Sequence, residues 1–260
     1  MIDTHIHLDQ YDINTLDDNI KHWKKEGIKQ VVAVSMNLQS ARNILSLKRR
    51  FGRFVLPAIG YHPEQPIPSE EELNEIKRLI QTCKNEIAAI GEVGLPYYER
   101  DKLFKQYKER EYISLLEEFL QLSKECDLPV VLHAVHDTAE VAFNLLKEYQ
   151  IKKAHFHWLK APMDVVEKII EEGYYISVTP EVCYRKRDQI LAQAIPLEQL
   201  LIETDGPWPY DGPFKNLQTS PLLLKEICHF LENIKNKKPE DIKFITANNA
   251  KKLYDSGGRQ

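Results

Sequence analysis

Short runs of β-branched and other apolar residues alternate along the chain with longer stretches in which apolar residues recur every three or four positions. The short runs predict eight strands: Ile2–His7, Gln30–Val34, Phe54–Ile59, Ile87–Gly91, Pro129–Leu132, Lys153–Phe156, Tyr174–Val178 and Leu200–Glu203. The longer stretches predict helices: Thr15–Glu26, Glu70–Thr82, Tyr107–Glu125, Thr138–Tyr149, Met163–Glu172, Ser220–Ile234 and Pro239–Tyr254. Because each return to the same edge of a sheet needs a crossover, the alternation predicts parallel strands.

The number and spacing of these units predict the fold class. Eight strand and helix units fill 260 residues with no internal repeat or break in composition. We therefore expect an α/β fold, a single (β/α)8 TIM barrel that spans residues 1–260 as one domain. An open doubly wound sheet is the alternative, and it is weakened because no glycine-rich phosphate loop follows the first strand.

Composition and charge narrow the function classes. Apolar residues make up 43% of the chain, but no run approaches the roughly 18 apolar residues of a membrane span. The N-terminus lacks the pattern of a secretory signal, so we expect a cytoplasmic protein. The four cysteines form no C-x-x-C pair, which argues against a thiolate zinc cluster or a disulfide framework. A net charge of −4 means that local cations or metal ions must bind any phosphate-rich substrate.

Histidines concentrate at the predicted strand ends. Seven of the nine lie at or just after such an end: His5, His7, His62, His133, His136, His155 and His157. A TIM-barrel enzyme assembles its active site at the carboxyl ends of its strands. His5 and His7 are two residues apart on one strand, so both imidazoles face the same side and can ligate one cation.

Two carboxylates follow the same pattern. Glu92 lies between glycines in GEVG, and Asp205 follows the eighth strand in LLIETDGPWP. Imidazoles combined with carboxylates suit zinc, manganese or magnesium, and six such ligands are enough for two divalent metal ions. The candidate metal ligands are His5, His7, Glu92, His133, His157 and Asp205.

Seven segments in order give the chain a family resemblance: DTHIHLD, GYHPE, AIGEVGL, PVVLHA, FHWLKAP, IETDGPWP and TANNAKKLY. Together they resemble the TatD family of metal-dependent deoxyribonucleases, a branch of the amidohydrolase-like barrels. The resemblance implies the six metal ligands above, with Glu92 bridging two metals. It selects His157 rather than His155, which becomes a packed or hydrogen-bonded neighbour, and it implies that His62 contacts substrate.

The chain departs from the family pattern at three places. Pro96 replaces an acidic residue after GEVGL, and Val135 replaces an arginine two positions after His133. The segment Trp158–Ala161 replaces a CFSG-like sequence. Because the arginine would clamp a phosphate, its loss leaves the substrate open, and His136 could replace its charge.

Other residues near the predicted strand ends could bind substrate. Five cations are expected in loops on that rim: Lys160, Arg185, Lys186, Arg187 and Lys215. Trp158 and Trp208 flank candidate ligands and could stack on a base or pack against the rim. We predict substrate contacts at His62, Lys160 and Trp208.

These observations predict a metal-dependent hydrolase, a TatD-like deoxyribonuclease. It would cleave phosphodiester bonds of DNA or of another phosphate-containing substrate with a metal-activated water, in an exonuclease-like manner, with Asp205 as the base. The alternative is an amidohydrolase or esterase acting on a lactone, amide or aminoacyl ester. A scaffold with a structural metal is disfavoured, because structural zinc is normally closed by four protein ligands. We expect a monomer or small homo-oligomer.

Overall fold

The computed structural model describes residues 1–254, and its eight strands form one parallel sheet in chain order. The strands are β1 (Ile2–Ile6), β2 (Gln30–Val34), β3 (Val55–Ile59), β4 (Ala89–Gly94), β5 (Val130–His133), β6 (Ala154–Phe156), β7 (Tyr175–Val178) and β8 (Leu200–Ile202). Each strand lies beside the next one along the chain, as the predicted TIM barrel requires.

Backbone hydrogen bonds bring the end of β1 to the segment after β8. The amide of Asp205 donates to the carbonyl of His5 at 2.9 Å, and the amide of His7 donates to the carbonyl of Gly206 at 2.8 Å. The Thr4 hydroxyl also donates to the carbonyl of Ile202 at 3.0 Å. These bonds close the barrel and place the segments of His5, His7 and Asp205 side by side.

In the described part of the chain, ten α-helices surround or cover the barrel: α1 (Ile13–Lys25), α2 (Leu38–Phe51), α3 (Glu70–Thr82), α4 (Arg100–Leu103), α5 (Glu109–Cys126), α6 (Thr138–Glu148), α7 (Met163–Glu171), α8 (Lys186–Ala194), α9 (Leu224–Lys235) and α10 (Pro239–Tyr254). All seven predicted helices are present, and α2, α4 and α8 are additional. Side chains cap several of them, as Ser69 does for α3 by accepting a hydrogen bond from the Glu72 amide. Within residues 1–254, none of the helices combines the length and apolarity needed to cross a membrane.

The two-residue period of the strands separates the outer core from the barrel interior. In β5, Val130 and Leu132 pack in the large core that includes the helices, whereas Val131 belongs to the interior cluster. His133 follows Val131 by two positions and therefore faces the interior as well. The same alternation places Glu203 two residues after the interior Leu201.

Helix α10 packs against the end of the barrel opposite the histidines. Its Leu253 and Tyr254 are buried in one cluster with Ile2 and Ala89, which lie at the beginnings of β1 and β4. This helix therefore covers the amino-terminal ends of the strands. The side chains beyond the carboxyl ends remain available for chemistry.

Candidate metal centre

Glu92 lies at the centre of the histidine cluster. It is buried in β4, and its Oε1 lies 2.9 Å from both Nδ1 of His133 and Nε2 of His157. Its Oε2 lies 3.2 Å from Nε2 of His5 and 3.6 Å from Nε2 of His7. The two oxygens of one carboxylate thus face two different pairs of imidazoles.

Asp205 completes the cluster on the side of β1. Its Oδ1 lies 3.5 Å from Nε2 of His5 and 3.4 Å from Nε2 of His7. The buried carboxylate of Asp3 supports this position, because it accepts hydrogen bonds from the amide of Thr204 at 3.0 Å and from its hydroxyl at 2.5 Å. Asp3 therefore holds the segment before Asp205 in place.

Several donor atoms in the cluster lack hydrogen-bond partners, as expected for ligands of a cation. Nine buried side-chain atoms of residues 1–254 have no hydrogen-bond partner, and five of them belong to the cluster: Nδ1 and Nε2 of His5, Nδ1 of His7, Oε2 of Glu92 and Oδ1 of Asp205. Leaving buried polar atoms unsatisfied costs about 1–3 kcal/mol each, so they normally have partners. The mixed imidazole and carboxylate set fits a divalent cation.

Among the residues that the structure describes, three groups of side chains bring their ligand atoms within 4.8 Å of one another: His5, His157 and Asp205; His5, His7 and Glu92; His62, Glu92 and His133. All six predicted ligands belong to at least one group. Two groups share Glu92, and two share His5. The overlap makes this a single extended cluster, and the rings of His5 and His157 stack at its centre with centroids 3.8 Å apart.

The electrostatics of the cluster favour ionised carboxylates. Burial alone raises the pKa of Glu92, but His62, His157 and His5 outweigh it and hold this pKa well below its usual range. Burial is likewise outweighed at Asp205, where neighbouring imidazoles lower the pKa. Because protons and cations compete for the same carboxylate oxygens, these lowered pKa values keep the oxygens available to a metal.

A further carboxylate, Glu64, contacts His133. Its Oε1 lies 3.1 Å from Nε2 of His133, while Nδ1 of the same ring faces Glu92. Glu64 also accepts hydrogen bonds from the amides of Tyr97 at 2.7 Å, Tyr98 at 2.9 Å and Glu99 at 2.8 Å. Burial raises the pKa of Glu64, but His133 and the amides of Glu99 and Tyr97 outweigh it and lower the pKa to about 2.

His157 has a carboxylate neighbour of the same kind. Its Nδ1 lies 3.2 Å from Oε1 of the fully buried Glu203. The other oxygen, Oε2, lies 3.5 Å from Nε2 of His155, whose Nδ1 lies 2.7 Å from the hydroxyl of Tyr254. His155 therefore faces Glu203, which in turn contacts His157.

His62 lies inside the cluster. Its Nε2 is 3.4 Å from Oε1 of Glu92, and its ring centroid is 4.8 Å from that of His133. Burial, outweighing Glu92, lowers the pKa of His62, so the ring is neutral. This geometry is compatible with either a metal ligand or the predicted substrate contact.

An aromatic and cationic surface borders the cluster. The Lys160 ammonium donates to the hydroxyl of Tyr98 at 2.8 Å and lies 3.8 Å from the ring centroid of Trp158. Trp158 is buried and meets Trp208 edge to face at 6.1 Å, and the side chain of Trp208 is 56% exposed. Lys160 and Trp208, two of the predicted substrate residues, therefore both contact Trp158.

The other predicted rim cations are placed differently. Lys186 and Arg187 were expected in a loop, but both lie in α8, a helix that was not predicted from the sequence. Arg185 and Arg187 both form ion pairs with Glu181. Lys215 follows a short helical turn and is exposed, as expected of a loop residue.

The structure also shows the surroundings of Val135 and Pro96, which depart from the family pattern, and of the neighbouring His136. Val135 is 2% exposed and Pro96 is buried, so neither side chain replaces the missing charged group. The ring of His136 stacks on Tyr97 with centroids 4.2 Å apart. Burial and the neighbouring Lys160 lower the pKa of His136, so it does not provide the charge of an arginine.

Three residues of the site were not selected from the sequence: Glu64, Glu203 and Tyr254. Glu64 lies in GYHPE and Glu203 in IETDGPWP, each two residues from a predicted site residue. The two-residue period around Leu201 could have indicated that Glu203 faces the interior. Tyr254 is the last residue of the family segment TANNAKKLY, but it lies 97 positions beyond His157 and no sequence periodicity links the two.

Comparisons with known proteins agree with this geometry. The model of the TatD-related DNase family matches residues 2–255. An uncharacterized metal-dependent hydrolase of Haemophilus influenzae is 39% identical over 225 residues, which cover 86% of this chain and 87% of the relative. The human protein Deoxyribonuclease TATDN3 is 29% identical, with coverage of 98% and 94%.

A solved structure has the same fold. The Escherichia coli TatD homologue YJJV superimposes with a TM-score of 0.87 at 22% identity and covers 99% of this chain and 98% of its own. This likeness supports the barrel, and the family match extends over nearly the whole sequence. The chain therefore belongs to the TatD-related DNase family and is a metal-dependent hydrolase.

Proposed function

We propose that this protein hydrolyses phosphodiester bonds of DNA at a centre of two divalent cations, zinc, manganese or magnesium, within one catalytic domain of residues 1–260. The proposed ligands are His5, His7, Glu92, His133, His157 and Asp205. The family match and the deoxyribonuclease name of the human relative support DNA as the substrate class.

The observation that carries the proposal is the position of Glu92. One of its oxygens faces His5 and His7, and the other faces His133 and His157. A carboxylate with imidazoles beyond each oxygen suits a bridge between two cations. When bound, such cations lower the pKa of water and stabilise negative charge on phosphoryl oxygens.

The chain's own residues supply the remaining chemistry. Oδ1 of Asp205 is buried without a hydrogen-bond partner among residues 1–254, and the carboxylate is ionised because its pKa is lowered. Asp205 can therefore orient the attacking water and accept its proton. Lys160 offers a positive charge to the phosphate backbone, and the exposed ring of Trp208 offers a stacking surface to a base.

The test uses chelator-stripped protein reloaded separately with Mg²⁺, Mn²⁺ or Zn²⁺. Each form is incubated with end-labelled single- and double-stranded DNA and, in parallel, with lactone, amide and aminoacyl ester substrates. We expect metal-dependent cleavage of DNA that is lost in Asp205→Asn, while metal content is retained. Asp211→Asn is the matched control, since Asp211 is exposed in the same loop and pairs with Arg185.

Cleavage of the carbonyl substrates but not of DNA, with confirmed metal loading, would contradict the proposed substrate and establish the carbonyl alternative. Full activity of Asp205→Asn would show instead that Asp205 is not the base. Laddering from the labelled end would establish exonuclease action and its polarity.

A further inference from the structure

A line of buried polar side chains connects helix α10 with the metal centre through the barrel interior. The Tyr254 hydroxyl is hydrogen-bonded to Nδ1 of His155 at 2.7 Å. Nε2 of His155 then faces Oε2 of Glu203 at 3.5 Å, and these two buried atoms have no other partner among residues 1–254. Oε1 of Glu203 lies 3.2 Å from Nδ1 of His157. All four side chains are at least 96% buried, so water does not compete for these contacts.

The hydrogen-bonding chemistry of these groups determines which atom donates and which atom accepts at each contact. Glu203 presents one carboxylate oxygen to each neighbouring histidine, and a carboxylate oxygen is matched by a facing N–H group. His155 as a neutral ring has one N–H, and this hydrogen must be on Nε2 if it is to face Glu203. Its Nδ1 is then an acceptor, and the Tyr254 hydroxyl is the donor that matches it.

The opposite tautomer of His155 is unfavourable at this position. With the hydrogen on Nδ1, the bare Nε2 would face Oε2 of Glu203 in a fully buried environment. Two acceptors would then repel each other, and burial strengthens the repulsion because no water screens it. The donor at Tyr254 therefore decides which face of His155 meets the carboxylate.

We propose that Tyr254, acting through His155, is a positioning residue that holds Glu203 against Nδ1 of His157 and so leaves Nε2 of His157 directed at Glu92. The proposal rests on the proposed function only in treating His157 as a metal ligand. Neighbours that accept the second N–H of a ligating histidine orient its ring and fix its tautomer. In this protein the residues that orient His157 include Tyr254, which lies 97 positions further along the chain.

The rival interpretation is that Tyr254 only packs. Its ring lies in the interior cluster with Ile2 and Leu253, so the loss of its side chain would destabilise the barrel whatever its hydroxyl does. Tyr254→Phe keeps the ring and removes only the hydroxyl. Tyr174→Phe is the matched control, because Tyr174 is 1% exposed and its hydroxyl donates to the carbonyl of Ile151 at 2.6 Å, outside the line.

The experiment uses the full chain, stripped of metal, and measures Zn²⁺ affinity by competition with a chromogenic chelator. We expect Tyr254→Phe to weaken Zn²⁺ binding by about 3- to 10-fold, less than the 10- to 100-fold typical of a direct neighbour of a ligand. Tyr174→Phe should leave the affinity unchanged. In a His155→Leu background, Tyr254→Phe should cause no additional loss, and His155→Gln takes its place if the leucine variant does not fold.

Nitrogen-15 NMR of the imidazoles in the metal-free protein provides a readout that does not depend on metal or substrate. We expect the hydrogen of His155 on Nε2 and that of His157 on Nδ1, with a mixture of His155 tautomers in Tyr254→Phe. The proposal is overturned if His155 carries its hydrogen on Nδ1 in the wild type, or if Tyr254→Phe weakens Zn²⁺ binding equally without His155. Absence of Zn²⁺ binding together with the expected tautomers would contradict the metal centre and leave the positioning role supported.

Discussion

Nε2 of His133 lies 3.1 Å from Oε1 of Glu64, while Nδ1 of the same ring lies 2.9 Å from Oε1 of Glu92. His133 is therefore held between a carboxylate of the metal centre and a carboxylate outside it. The outer one also accepts three amide hydrogens from residues 97–99. Glu64 thus couples the orientation of a candidate ligand to the conformation of the loop that carries Tyr98.

Glu64→Gln should weaken metal binding by about 10- to 100-fold, because the neutral amide has only one acceptor oxygen for the His133 ring and the loop amides. Titration of the stripped protein with Zn²⁺ measures the effect. Glu75→Gln is the control, since Glu75 pairs with Arg42 and Arg78 on the outer surface. Equal affinities of the two variants would show that Glu64 does not orient His133.

His62→Asn separates the two roles that its position allows. If His62 contacts substrate, the metal stoichiometry stays the same and kcat/KM falls by about 10- to 100-fold, the effect of losing a hydrogen bond to a charged group. Metal analysis and steady-state kinetics on DNA measure both quantities. His136→Asn is the control, because His136 stacks on Tyr97 outside the cluster. Loss of one equivalent of metal would identify His62 as a ligand instead.

Trp208→Ala should raise KM for DNA by roughly 5- to 150-fold, since stacking on an aromatic side chain contributes about 1–3 kcal/mol per base. The stability should change little, because the ring is 56% exposed. Phe244→Ala is the comparison, as Phe244 is 68% exposed on α10. An unchanged KM, measured by DNA hydrolysis at several salt concentrations, would exclude Trp208 from the binding surface.

Gly94→Ala should lower the free energy of unfolding by at least about 3 kcal/mol or prevent folding, because the clash is between fixed backbone positions. A Cβ at Gly94 would lie 1.9 Å from the carbonyl oxygen of His133. To relieve this clash, β4 and β5 must move apart at the positions that carry Glu92 and His133. Urea unfolding measures the change, and metal binding should weaken in parallel.

Gly52→Ala is the control for backbone strain alone. Gly52 has a φ of +60°, and a Cβ there would meet no atom of the described residues within 4 Å. Its replacement should cost only about 1–2 kcal/mol. If Gly94→Ala is no more destabilising than this control, β4 and β5 are not held together as closely as the structure indicates.

The sequence by itself determined the order of the elements and the face of each strand that carries chemistry. Alternation of apolar runs with helical periodicity predicted all eight strands, because burial patterns of period two and 3.6 are local properties. The positions of His5, His7, Glu92, His133, His157 and Asp205 followed from strand ends and from family resemblance. Boundaries shifted by a few residues, and Glu92 lies within β4 instead of after it.

Only the tertiary structure decided which groups beyond the predicted ligands touch the site. Closing the barrel brings Glu64 to His133 across 69 positions and Tyr254 to His155 across 99. These contacts join distant segments whose local sequence has no periodicity in common, and they form only when parallel strands bring those segments to one interior.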